Sequence, residues 1–321
     1  MVSLTQWDWP EPGGHTVFDP NTGNLWYTEN ANNRIARFNP TTNELTEWTI
    51  PIPNSAPCRI DINLDTGMVF FTMQDVKRLG MINPDTNGFI QWFLPTNTLT
   101  GLGENRLCAM DIDQSTGEVY ITNSPPNTNG QPQKILKVNT NTNQATVWSL
   151  GNGVSTFNEI SVAEVGGTTV LYFTEDNTFG QCGNCITQFT PSTNEIKRWA
   201  TPQPNAGRGF AEYDPNTNSV YYGQSSGNRI AKLDISSNQI TQWLIPTLGS
   251  NPYWIKVDSA GTVYFSESNQ NKIGRLDPNS NLITEWSLPN ADSKPGVPIV
   301  DNSDDVYFTQ GGGPRIGKIS G

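Results

Sequence analysis

Between residues 251 and 289, apolar and polar positions alternate in four short runs separated by turn-forming residues. Tyr253-Trp-Ile-Lys-Val-Asp258, Thr262-Val-Tyr-Phe-Ser-Glu267, Lys272-Ile-Gly-Arg-Leu-Asp277 and Leu282-Ile-Thr-Glu-Trp286 each carry the two-residue period of a half-buried strand. Ser259-Ala-Gly261, Ser268-Asn-Gln-Asn271 and Pro278-Asn-Ser-Asn281 break them with the residues that tight turns need. Four antiparallel strands in about forty residues is the pattern of one propeller blade.

The unit recurs along the whole chain. Its second run returns as Leu25-Trp-Tyr-Thr-Glu29, Val69-Phe-Phe-Thr-Met73, Val119-Tyr-Ile-Thr-Asn123, Leu171-Tyr-Phe-Thr-Glu175, Val220-Tyr-Tyr-Gly-Gln224 and Val306-Tyr-Phe-Thr-Gln310. Its fourth run ends on Trp7, Trp48, Trp92, Trp148, Trp199, Trp243 and Trp286, spaced by 41 to 56 residues, so the chain is a repeat array. Each run offers one apolar face, which predicts sheets stacked on one another. Repetition of the Trp in every copy predicts packing between blades rather than sugar stacking. Between third and fourth runs stand Asn39-Pro-Thr-Thr-Asn43, Asn83-Pro-Asp-Thr-Asn87, Thr190-Pro-Ser-Thr-Asn194 and Asp277-Pro-Asn-Ser-Asn281. Pro presets φ for a type I turn and the closing Asn tolerates a left-handed backbone.

The last repeat, from Gly296, supplies three strands, and the missing fourth is Ser3-Leu-Thr-Gln-Trp7 at the other end. The expectation is one all-β domain over residues 1–321, a seven-bladed β-propeller of four-stranded antiparallel blades. The N-terminal strand, residues 3–9, joins the last blade and closes the ring, removing free sheet edges.

Composition narrows the function classes. Charged residues are 15% and the net charge is −11, which argues against a nucleic-acid partner. No apolar run reaches about 18 residues, so no membrane span is expected. The N-terminus shows no secretory pattern, and there is no Asn-X-Ser/Thr sequon. Cys182 and Cys185 form a CxxC in a Gly-rich loop. A local disulfide is the leading reading, with free thiols or a redox pair as alternatives; without a second CxxC a four-thiolate zinc site is not supported. Cys58 and Cys108 share a slot in consecutive repeats. Cysteine usage and polar composition point to an extracellular or cell-surface location, with the cytoplasm as the alternative.

Tyr-Phe-Ser-Glu267, Asn271-Lys-Ile-Gly-Arg-Leu-Asp-Pro278 and Ile283-Thr-Glu-Trp-Ser-Leu-Pro289 together resemble the repeat of the virginiamycin B lyase (streptogramin lyase) family. The resemblance runs through all seven repeats and implies a seven-bladed propeller. The family's reaction opens a cyclic depsipeptide by elimination, with a histidine base and a Mg2+ ion at the developing enolate. Its two histidines follow a Pro at the start of the innermost strands of the last two blades. Here those slots read Asn251-Pro-Tyr253 and Lys294-Pro-Gly296, and the acidic position of the last blade falls in Thr309-Gln-Gly-Gly-Gly313. The resemblance therefore implies the fold and withholds the activity.

In a propeller the innermost strands begin at the mouth of the central channel, where ligands gather. Aligned starts place His15, Arg59, Ala109, Glu159, Phe210, Trp254 and Val297 in one slot, next to Gly14, Cys58, Cys108, Asn158, Gly209, Tyr253 and Gly296. Alternation sets these two slots on opposite sides. Two residues further come Asp61, Asp111, Ser161, Glu212 and Lys256. A hydrated, salt-bridged lining is one reading. The other is a pocket using Arg59, Glu159, Tyr253 and Trp254, with Asp61, Asp111 and Glu212 as candidate ligands for Mg2+ or Ca2+, no cofactor being required. His15, the sole histidine, is structural or exposed on one reading and catalytic with Glu159 on the other. The longest insertions, Thr96–Leu107, Ser124–Gln133 and Asp176–Asn184, belong to the same face. The expected function is a binding or scaffold module without streptogramin-lyase activity, holding a peptide, glycan or protein there. The alternative is a metal-dependent lyase or a lactone- or ester-opening enzyme.

Overall fold

The computed structural model describes residues 3–8, 14–95, 106–124, 133–150, 159–175, 184–203, 206–207, 209–313 and 315–320, with residues 106, 108 and 124 described by main chain alone. The insertions read from the sequence, residue 9 of the closing strand, Asn158 and Cys182 fall wholly or largely outside this set. The chain divides into two compact units, Gly13–Thr156 and Met1–Pro12 with Phe157–Gly321.

Strand β1 (Ser3–Asp8) opens the chain. The Gly13–Thr156 unit holds three sheets. The first is β2 (Thr16–Asp19), β3 (Asn24–Glu29), β4 (Arg34–Asn39) and β5 (Glu44–Thr49); the second is β6 (Pro57–Ile62), β7 (Val69–Met73), β8 (Arg78–Asn83) and β9 (Gly88–Phe93). The third is β10 (Arg106–Asp113), β11 (Glu118–Ser124), β12 (Lys134–Asn139) and β13 (Gln144–Ser149). The other unit holds four. The fourth sheet is β14 (Ser161–Val165), β15 (Thr168–Glu175), β16 (Cys185–Thr190) and β17 (Glu195–Ala200); the fifth is β18 (Ala211–Asp214), β19 (Ser219–Gln224), β20 (Arg229–Asp234) and β21 (Gln239–Leu244). The sixth is β22 (Pro252–Val257), β23 (Val263–Glu267), β24 (Lys272–Asp277) and β25 (Leu282–Ser287); the seventh is β26 (Pro295–Val300), β27 (Val306–Gln310) and β28 (Arg315–Ser320). All pairings are antiparallel meanders, and β1 completes the seventh sheet beside β28, with Leu4 opposite Ile319 and Trp7 opposite Ile316. The fold is the seven-bladed β-propeller that the repeats predict, and its N-terminal strand completes the last blade.

Sheet-to-sheet burial makes the core. Phe71 packs with Trp26, Ile35 and Ile60 of the first and second sheets, whereas its neighbour Phe70 packs with Met110, Ile112 and Leu136 of the third. Phe265 faces Tyr221 and Ile230, and Tyr264 faces Val306 and Phe308. The second strands β7, β19 and β23 are therefore buried at every position, not on one face. This corrects the one-face expectation: a sheet between two sheets has no solvent side, as in any doubly covered sheet. Each such Phe or Leu contributes about 2 kcal/mol of burial.

Two repeat signatures acquire physical causes. Gly80, Gly274 and Gly317 lie directly opposite Phe71, Phe265 and Phe308. A Cβ on Gly274 would stand 2.1 Å from the tip of the Phe265 ring, so the small residue lets the ring lie across the strand. The closing Asn of each third-to-fourth turn is left-handed, with φ of 59° at Asn43, 56° at Asn87 and 59° at Asn194 and Asn281. That conformation presents its side chain to the preceding sheet. Trp48 Nε1 donates to Asn87 Oδ1 at 2.6 Å, and Trp92 to Asn143, Trp199 to Asn238 and Trp243 to Asn281 at 2.7 Å each. The Trp and Asn of the repeat are thus one inter-blade device.

Candidate functional site

The innermost strands are joined through the Thr of the second-strand signature. Thr28 Oγ1 accepts from His15 N–H (3.1 Å) and donates to the Cys58 carbonyl (3.1 Å). Thr72 Oγ1 accepts from Arg59 N–H at 3.0 Å, and Thr174 Oγ1 donates to the Gly209 carbonyl at 2.8 Å. In the fifth sheet Gly223 replaces this Thr, and the strands meet without a bridge: Phe210 N–H donates directly to the Tyr253 carbonyl at 2.8 Å. A Cβ on Gly223 would stand 2.2 Å from the Pro252 carbonyl oxygen. This close approach gathers Phe210, Tyr253 and Trp254 into one aromatic cluster. Ring centroids lie 3.9 Å apart for Phe210–Trp254 and 5.3 Å apart for Phe210–Tyr253 and Tyr253–Trp254, the last pair nearly perpendicular.

The entries to the innermost strands are also irregular. Register slips by one residue between Pro57 and Ile60, Pro252 and Ile255, and Pro295 and Pro298. Such bulges re-aim side chains and recur beside functional sites. They overturn the strict alternation that set the Cys58, Tyr253 and Gly296 slot against that of Arg59, Trp254 and Val297, because the extra residue breaks the period. The residue before each of these prolines is left-handed: Ala56 at φ 50°, Asn251 at 52° and Lys294 at 45°. Residues preceding proline ordinarily stay extended, so each position stores strain on the order of 1–3 kcal/mol.

The sequence candidates distribute over the two units. In the Gly13–Thr156 unit, His15 is half-buried and Arg59 is buried. Asp61 accepts from the N–H groups of Ile62 (2.8 Å) and Ile112 (3.1 Å), and Asp111 accepts from Ile112 N–H (2.9 Å). In the other unit Glu159 is half-buried, and Ser161 Oγ accepts from Tyr213 N–H at 3.1 Å. Glu212 forms an ion pair with Lys256. Of the proposed pocket, the structure brings Tyr253 and Trp254 together and adds Phe210. Asp61 and Glu212 tie neighbouring innermost strands, and Asp111 holds a main-chain N–H of its own strand. Among the described residues no three His, Cys, Asp or Glu side chains form a metal-binding group. Carboxylates committed to main-chain N–H groups and a lysine do not fit Mg2+, which demands a near-octahedral oxygen set. Cys185 is disulfide-bonded, and Cys58 remains a thiol.

One cluster escaped the sequence reading. Glu267, fully buried at the end of β23, accepts from Ser250 Oγ at 2.5 Å. Burial pushes its carboxyl up to about 7, against the Ser250 hydrogen bond and with the Glu285 carboxyl beside it adding to the rise. Burial would also raise Glu285, but hydrogen bonds from Thr247, with Glu267 and Lys272, bring it below its ordinary value. Thr247 N–H donates to Glu285 Oε1 at 3.1 Å, and Lys272 Nζ donates to Thr247 Oγ1 at 2.6 Å. The two carboxyls titrate as a pair. Glu285 is the polar residue before a repeat Trp, and that position was the available signal.

A family model described as the virginiamycin B lyase family matches residues 127–321. No curated protein matches. Selenomethionine-substituted virginiamycin B lyase from Staphylococcus aureus is similar with a TM-score of 0.80 at 21% identity, covering 100% of this chain and 99% of its own. A catalytically inactive variant of that lyase with quinupristin is similar to the same extent, TM-score 0.80 at 21% identity over 100% and 99% of the two chains. Hydrazine synthase from Kuenenia stuttgartiensis reaches 0.76 at 10% identity over 99% and 97%. At these identities the likeness to solved structures is one of fold, a scaffold that hosts different chemistries.

Proposed function

The chain belongs to the virginiamycin B lyase family, and from that premise we propose that it is a ligand-binding propeller without the family's elimination chemistry. The observation that carries the reading is the filling of the slots after Pro252 and Pro295. The first holds Tyr253, packed edge-on against Phe210 and Trp254. The second holds Gly296, where a Cβ would stand 2.4 Å from Thr309 Oγ1, so the space for a longer side chain is taken. Neither a phenol nor a hydrogen is a base suited to removing a proton from carbon.

The aromatic cluster, on a strained and bulged entry, is the binding element. Its rings are tilted into one another rather than laid flat, which suits an apolar peptide side chain better than a sugar face. A peptide ligand is therefore favoured over a glycan or a protein surface. The disulfide at Cys185 supports an oxidising, extracellular or cell-surface setting.

Quinupristin serves as the probe. A saturable change in tryptophan fluorescence that Trp254→Phe abolishes, with the ring intact by chromatography in the presence of Mg2+, is the expected result. Linear product formed at an enzymatic rate overturns it. That outcome would establish the second reading, favoured by family membership, of a metal-dependent lyase or lactone- or ester-opening enzyme.

A further inference from the structure

We propose that Glu267 and Glu285 form a proton-operated latch on the connector 245–251, closed while the pair holds one proton and slack once both carboxyls are ionised.

The connector joins β21 to β22 and ends at Tyr253 and Trp254. It is held at two kinds of point. Asn228 is neutral: its Nδ2 donates to the carbonyls of Ile245 and Thr247 at 3.0 Å each, and its Oδ1 accepts from Ser250 N–H at 2.8 Å. The carboxyl pair supplies the rest, Glu267 through Ser250 Oγ and Glu285 through Thr247 N–H. Glu267 also stands directly opposite Pro252 in the β22–β23 register, so it underlies the first residue of the bulged entry.

The repeat provides its own control. Asn33 and Ser55, and Asn271 and Ser293, reproduce the neutral clamp with the same spacing: Ser55 N–H donates to Asn33 Oδ1 and Ser293 N–H to Asn271 Oδ1, both at 2.9 Å. There Ser55 Oγ reaches Asn33 Oδ1 and Ser293 Oγ reaches the Asn290 carbonyl, as Ser250 Oγ also reaches the Thr247 carbonyl at 2.7 Å, but Met73 and Gln310 stand where the sixth sheet has Glu267. Among these three connectors the acid is peculiar to the sixth sheet.

The groups facing Glu267 account for the proton. Glu285 approaches from β25, and Lys272 on β24 stands 3.5 Å from Glu285 Oε2. Ser250 and Thr247 are neutral. Strand β26, packed on β23, carries no titratable side chain, and Lys256 of β22 is taken by Glu212. One lysine offsets one of two carboxylates, so a buried second charge is unpaired unless it is protonated. Opening releases that proton to solvent and needs no co-reactant. Any effect on ligand capture rests on the proposed aromatic site; the latch itself does not.

The test is amide hydrogen exchange without ligand, from about pH 5 to about pH 9, corrected for intrinsic base catalysis. Residues 245–254 are compared with the neutral connector 50–56. Expected is a rise of about tenfold in corrected exchange at 245–254, centred near neutrality, absent at 50–56 and absent throughout in Glu267→Gln. Parallel behaviour of the two connectors, or an undiminished rise in Glu267→Gln, overturns the latch. If that variant does not fold, 13C titration of the glutamate carboxyls in the unaltered chain decides: one carboxyl titrating near neutrality supports it, and all titrating below about pH 5 overturns it.

Discussion

The fourth and sixth sheets solve the same electrostatic problem in opposite ways. Both end their second strand on a buried glutamate. Glu175 meets Arg198 across 3.0 Å and accepts from Thr187 Oγ1 at 2.6 Å, so its charge is matched in place. Glu267 meets Glu285 at the position of Arg198, Gly274 at that of Thr187 and Lys272 at that of Cys185. The first arrangement is a fixed ion pair. The second retains a proton and couples the sheet to the chain segment leading into the aromatic cluster. A repeat scaffold thus separates two tasks, since the backbone device is common and the charge on it is chosen blade by blade.

The comparison breaks hardest at Arg198. Arg198→Ala leaves Glu175 buried without its cation and should cost about 3 kcal/mol in denaturant unfolding. Next is an attempt to convert one sheet into the other: Gly274→Thr drives a side chain into the Phe265 ring and should cost about 2 kcal/mol, measured the same way. If it is tolerated, the ring is not held across the strand as described.

A smaller effect separates the sheets by pH. Glu267 has a folded value of about 7 against an ordinary 4.5, so between these values the folded chain binds a proton that the unfolded chain has released. Its contribution therefore declines as pH rises through that window and levels off above about 7. Glu285 acts oppositely: its contribution is present above its ordinary value and is lost as pH falls through its lowered one. Glu267→Gln should flatten the slope between pH 4.5 and 7 by on the order of 1 kcal/mol per pH unit, read from unfolding midpoints across pH.

The smallest difference lies at the outer Trp. Trp199 donates to Asn238, whereas among the described residues Trp286 Nε1 has no closing Asn as partner in the seventh sheet. Trp199→Phe should lose about 1 kcal/mol and Trp286→Phe only about 0.3 kcal/mol, by thermal melts of the two variants.

The repeats made the strands, the turns and the last sheet's borrowed strand legible, because two-residue alternation and Asn-Pro signals are local. Tyr253 and Trp254 were legible as occupants of a histidine slot. Phe210 joins them only because Gly223 lets two innermost strands touch, a contact across about forty residues of chain. The bulges after Pro57, Pro252 and Pro295 were hidden for a related reason: an extra residue leaves no trace in an apolar run.

The order and pairing of these strands follow from the amino-acid pattern, since backbone hydrogen bonding and burial of a repeated apolar face admit few arrangements of so many short runs. Packing of one sheet upon the next decided what each polar residue does. It turned Trp and Asn into a clasp, aspartates into main-chain acceptors and two glutamates into a shared proton. Charge state and partnership depend on desolvation and on neighbours brought from other repeats, and spacing along a chain contains neither.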